Sequence, residues 1–178
     1  ADERWYGGSM RSSVRIPLTL LLVACSKHHH APPPPPIDSK PRVLHDEAEI
    51  EKYISEFPAD QYKIATIDGT ETRFYIDTTN DVIKRVLARG KHWEVDRVPL
   101  FERCIHAGDY VLDVGAHIGT STIDLSAIVG DDGHVYSFEP QKKIHRELVM
   151  NLRLDHITNA TPLRFAIGDG DPRIVHME

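Results

Sequence analysis

Between Gly108 and Pro140 the chain passes from a short apolar run with one acid inside it, through a glycine-bounded turn, to a helical stretch and a second alternating run. Val111 to Val114 reads as a strand, Gly115-Ala116-His117-Ile118-Gly119 as the turn, the segment from near Thr120 to Gly130 as a helix, and His134 to Phe138 as a second strand that stops at Glu139. Strand, helix and strand in that order make a βαβ unit, whose crossover is right-handed and whose strands are parallel. Ile144, Leu148 and Leu152 then recur at helical spacing over about Gln141 to Leu154, with Lys142, Lys143, Arg146 and Glu147 turned to solvent, and Leu163 to Ile167 reads as a third strand. The pattern therefore predicts parallel strands with helices packed on both faces of the sheet.

Upstream, Asp46 and Glu49 open a helix whose apolar positions are Ile50, Tyr53, Ile54 and Phe57, before Pro58 stops it. Gln61 to Ile67 and Glu71 to Ile76 alternate around Asp68-Gly69, the pattern of a hairpin that covers one edge of the core. Asn80 or Asp81 caps a second helix carrying Val82, Ile83, Val86 and Leu87, which ends at Gly90, and His92-Trp93-Glu94 leads into a third that runs through Ile105.

The glycine turn is where chemistry enters. Glycine has no Cβ to hold off a nucleotide-like group, and the helix that follows aims unpaired N–H groups at whatever sits there. An acid at the end of the next strand, about 20 residues further on, is where nucleotide folds hold ribose hydroxyls. Gly115 and Gly119 alone form only a G-x-x-x-G, and the spacing is not the G-x-G-x-x-G of dinucleotide-binding dehydrogenases.

The string as a whole, GD-x-VLDVGA-x-IG-x-x-T, then VG-x-x-G-x-VY-x-FEP, then a helix with Asn151-Leu152 and then A-I-GD, resembles the FkbM family of S-adenosylmethionine-dependent methyltransferases over Gly108 to Asp169. The resemblance implies an α/β fold: a Rossmann-like doubly wound methyltransferase sheet, truncated after about three or four parallel strands and preceded by a helix and a β-hairpin. It implies S-adenosylmethionine as cofactor, and a hydroxyl of a small molecule or sugar as methyl acceptor. The family's sheet continues through about four further strands, so the chain is expected to hold most of a cofactor half and almost none of an acceptor half, and no catalytic base can be named.

The candidate cofactor-binding residues differ in weight. Glu139 carries most, because a carboxylate accepts from vicinal ribose hydroxyls. Gly115, Ala116 and Gly119 form the turn. Asp113, on the strand before it, either fixes the turn or faces the cofactor's amino end. His117 stands where the family often has Asn and caps the following helix, with a general-base role less favoured. Ile167 and Asp169 fall where the family contacts adenine. Glu94 follows an aromatic residue, as in the family, and reads equally as a cofactor-positioning group and as a solvated helix-start acid.

Composition changes the picture mainly before Asp46. The 178 residues carry a formal net charge of −6, which argues against a general nucleic-acid binder, yet the first 45 hold six Lys/Arg against three Asp/Glu. This divides the chain into an extended basic, Pro-rich arm or processed leader over 1–45, a helix-hairpin-helix part over 46–106 and a partial cofactor-binding domain over 107–178. The stretch from Met10 through Cys25 resembles a bacterial lipoprotein signal, which leaves membrane anchoring through Cys25 as the alternative to an intracellular place in cytoplasm or organelle, the mitochondrion included. Ile16 to Ala24 is too short to span a bilayer, which takes about 20 residues. His28-His29-His30 lacks partners at metal-ligand spacing and reads, with Pro32 to Pro36, as a polar spacer, so no metal site is expected. Cys25 and Cys104 form no disulfide framework. The arm and the open sheet edge are expected to contact other protein chains. The reading alternative to an enzyme is a catalytically silent accessory subunit of a large assembly.

Overall fold

The computed structural model describes residues 47–77 and 81–167. Two small sheets organise it. A hairpin pairs β1 (Lys63–Thr66) antiparallel with β2 (Arg73–Ile76), and a three-stranded parallel sheet runs in the order β3 (Tyr110–Val114), β4 (His134–Phe138), β5 (Ala160–Leu163). The helices are α1 (Glu47–Ser55), α2 (Val82–Leu87), α3 (Val98–Cys104), α4 (Thr120–Val129) and α5 (Lys142–Leu154). The α/β fold class inferred from the sequence is the one observed, and the arm over 1–45 lies outside the described residues.

The crossovers β3–α4–β4 and β4–α5–β5 step in one direction across the sheet, because strand order equals chain order. Two right-handed crossovers taken in the same direction place their helices on the same face. Hence Val111, Asp113, Val135 and Ser137 are buried, while Tyr110 and Leu112, which point the other way, are 71% and 48% exposed. The expectation of helices on both faces is corrected for these strands. On the covered face Leu125 and Val129 of α4 meet Val111, Val135, Phe101 and Ile105, and α3 seals that layer.

A second apolar cluster joins Leu148 and Leu152 of α5 to Ile118, Ile123, Leu87 and the hairpin residues Ile67, Phe74 and Ile76. The hairpin thus packs on α5. Asn151 locks the arrangement, since its Oδ1 accepts from the Tyr75 N–H at 2.7 Å while its Nδ2 donates to the Ile118 carbonyl at 2.9 Å.

On α5 Lys142 and Lys143 are exposed as expected, and Glu147 is the largest departure from the sequence reading. Glu147 is fully buried: it accepts from the Tyr62 hydroxyl at 2.8 Å and pairs with Lys84 Nζ at 2.6 Å. Lys84, also buried, reaches Asp77 at 2.9 Å, and Lys143 pairs with the same Asp77. Val82, expected on the packed face of α2, is exposed instead. The third strand spans Ala160–Leu163 and includes Pro162, so it ends where it was expected to begin, and Arg164 to Ile167 lie beyond it.

Candidate functional site

The site begins where β3 ends. Gly115 (φ 83°), His117 (φ 51°) and Gly119 (φ 99°) all take left-handed backbone, so the chain reverses within five residues and delivers Thr120 as the first residue of α4. Both amides after β3, those of Gly115 and Ala116, donate to the Phe138 carbonyl, which ties the turn to the end of β4. A Cβ on Gly119 would come within 2.8 Å of Leu148 Cδ1, so this glycine answers to packing on α5.

Glu139, immediately after β4, is buried, with both carboxylate oxygens engaged: Oε2 accepts from the His117 N–H at 3.1 Å and Oε1 from the Gln141 N–H at 2.9 Å. A carboxylate offers about four lone-pair sites, so each oxygen keeps one for a ligand hydroxyl. His117 Nε2 pairs with Asp81 Oδ2 at 3.1 Å, and Asp81 Oδ1 caps α2 by accepting from the Lys84 N–H. His117 Nδ1 is buried without a partner among the described residues.

A cleft of about 380 Å³ lies over this turn, lined by Glu94, Gly115, Ala116, His117 and Glu139 of the sequence-predicted set, together with Trp93, Arg97, Thr120 and others. The volume falls in the range of small-molecule sites, about 300–1,000 Å³. Glu94 holds left-handed backbone (φ 54°), its carboxylate 2.7 Å from Arg97 Nη1. Arg97, which the sequence reading did not single out, could have been found there only as a cation one short turn beyond Glu94.

Three predicted residues fall elsewhere. Asp113 is buried beneath α4, accepts a 2.6 Å hydrogen bond from Thr122 Oγ1, and does not line the cleft. Strand alternation decides this, because Asp113 shares a face with Val111. Burial raises its pKa from the usual 3.8 to about 6, against the lowering effect of the Thr122 hydroxyl. Gly119 is buried under Leu148, and Ile167 is half exposed and outside the cleft. Asp169 lies outside the described residues, as does Cys25. Among the described residues no group of three or more His, Cys, Asp or Glu could hold a metal ion, and no helix is long and apolar enough to cross a membrane.

A parallel sheet of chain-ordered strands, a glycine turn opening a helix and an acid closing the next strand make a Rossmann-like nucleotide-binding arrangement. The sequence model for protein-L-isoaspartate(D-aspartate) O-methyltransferase (PCMT) matches residues 52–173, and the chain belongs to that family. Its cofactor is S-adenosylmethionine. The match does not support the FkbM family specifically.

Among solved structures, the chain is similar to an S-adenosylmethionine-dependent methyltransferase from Aquifex aeolicus, at 27% identity and TM-score 0.38, over 42% of this chain and 39% of that one. It is also similar to an O-methyltransferase from Thermotoga maritima, at 18% identity and TM-score 0.39, over 58% of this chain and 40% of that one. A third is the 16S rRNA N2 G1207 methyltransferase of T. thermophilus in complex with AdoMet and guanosine, at 20% identity and TM-score 0.40, over 58% and 27%. The chain spans two fifths or less of the length of these structures. No curated protein matches it.

Proposed function

We propose that the chain binds S-adenosylmethionine in the cleft over the glycine turn and serves methyl transfer to an acceptor oxygen. The observation that supports this best is Glu139, a buried carboxylate at a strand end, braced by two backbone amides and with one acceptor site left on each oxygen. The residues fit the cofactor. Glu139 takes the two ribose hydroxyls, the backbone of Gly115, Ala116 and His117 admits close approach, His117 Nδ1 supplies an unsatisfied polar atom, and Trp93 and Ile83 give the cleft an apolar wall.

When bound, the cofactor supplies a sulfonium whose methyl group leaves by in-line displacement, so the protein's contribution is position and field, not covalent chemistry. Glu94 orients the cofactor from the cleft's rim. Asp113 holds α4, through Thr122, under the turn. The family matched points to a carboxylate oxygen of an isoaspartyl peptide, while the FkbM-like motifs point to a hydroxyl of a small molecule or sugar. Membership of a methyltransferase family gives the silent-subunit reading no support.

Isothermal titration with S-adenosylhomocysteine tests the cofactor reading first, with a micromolar dissociation constant expected and an absence of heat counting against it. Methyl transfer from labelled cofactor to an isoaspartyl peptide, set against transfer to a sugar hydroxyl, then separates the acceptors.

A further inference from the structure

Among the described residues that line the cleft, Arg97 is the one lysine or arginine, and the other formal charges are the carboxylates of Glu94 and Glu139. It is held within 2.7 Å of Glu94, both side chains about one-third exposed. The pair stands on a short 3-10 turn, Val95–Arg97, closed by the Arg97 N–H donating to the Glu94 carbonyl at 2.9 Å. Glu94 enters that turn in left-handed backbone, which costs a non-glycine residue on the order of 1 to 3 kcal/mol and persists where the surroundings impose it. An exposed ion pair alone gives no return for such strain, since it contributes about 0–1 kcal/mol. Two of the three non-glycine residues with positive φ among the described residues, Glu94 and His117, line this same cleft.

The cofactor has two chemically distinct ends. Its ribose carries hydroxyls, for which Glu139 suffices, and its other end is an amino acid with one carboxylate and one ammonium. A guanidinium beside a carboxylate is the complement of that zwitterion. We propose that Arg97 binds the carboxylate of the cofactor's amino-acid end, with Glu94 holding the guanidinium in place in the free protein and accepting from the ammonium in the complex. This rests on the cofactor reading above. Arginine suits the task better than lysine because its planar fork meets a carboxylate through two parallel hydrogen bonds.

The test compares two ligands on the 178-residue chain by isothermal titration. S-adenosylhomocysteine has the amino-acid end; 5′-methylthioadenosine shares the adenosine and the thioether but lacks that end. Arg97→Gln is expected to weaken S-adenosylhomocysteine about tenfold or more and to leave methylthioadenosine within about twofold, because only the former loses a charge-assisted hydrogen bond. Arg97→Lys should fall between, and an unchanged thermal midpoint shows that the variant is folded. Glu139→Ala should weaken both ligands alike. An Arg97→Gln chain that binds both ligands as the unaltered chain does, or loses both equally, overturns the assignment while leaving the cofactor reading intact. An unaltered chain that binds neither ligand overturns both.

Discussion

Two carboxylates one strand apart show how far residue identity is from residue role. Glu139 and Asp113 both stand in the βαβ unit, yet one closes a cleft and the other is sealed under α4. Glu139→Ala should weaken S-adenosylhomocysteine by about 1 to 3 kcal/mol, through loss of charge-assisted hydrogen bonds, and titration calorimetry reads this directly. Asp113 makes a pH prediction. Its folded pKa of about 6 lies above the usual 3.8, so between those values the folded state holds the proton more tightly than the unfolded chain. Stability from this group is therefore greatest at low pH and is lost as pH rises through about 4 to 6, by on the order of 3 kcal/mol. Asp113→Asn should flatten that fall, and urea melts of both chains at pH 4 and pH 7 check it. The acid at a strand end was legible because the strand's length is written in its alternation. The face chosen by Asp113 follows from the same alternation once Val111 is seen to be buried.

The elements of the central unit were legible almost to the residue, because turn glycines and apolar periodicity are local signals; β4 runs from His134 to Phe138 as read. What escaped was pairing across distance. Lys84 and Glu147 lie far apart in sequence, and nothing local marks either as buried; a charged helix face reads as solvated by default. Lys84→Met should cost on the order of 3 kcal/mol, since buried Glu147 loses the cation 2.6 Å away and keeps, of its two lysine partners, only the half-exposed Lys143 at 3.6 Å. The double variant Lys84→Met, Glu147→Gln should recover part of that loss, and a double-mutant cycle in urea measures the coupling. The start of β5 escaped for another reason: Pro162 reads as a strand breaker, but β5 is an edge strand among the described residues, where a nitrogen without a proton is tolerated.

At the scale of the whole molecule the sheet has, among the described residues, one covered and one bare side. Val111→Ala should cost about 2 to 4 kcal/mol, as a cavity beneath α4, while Leu112→Ala, on the next residue but the opposite face, should stay within about 1 kcal/mol. Thermal midpoints of the two variants decide it, and equal losses would mean that Leu112 is covered in the folded protein. Asn151 adds a consequence of another kind. One amide group bridges the hairpin, α5 and the loop into α4, so these parts share a single side chain's geometry. The hairpin then has no private opening event. In native-state hydrogen exchange the Tyr75 amide should be released with the same free energy as the amides of α5, and Asn151→Ala should split that common isotherm into two.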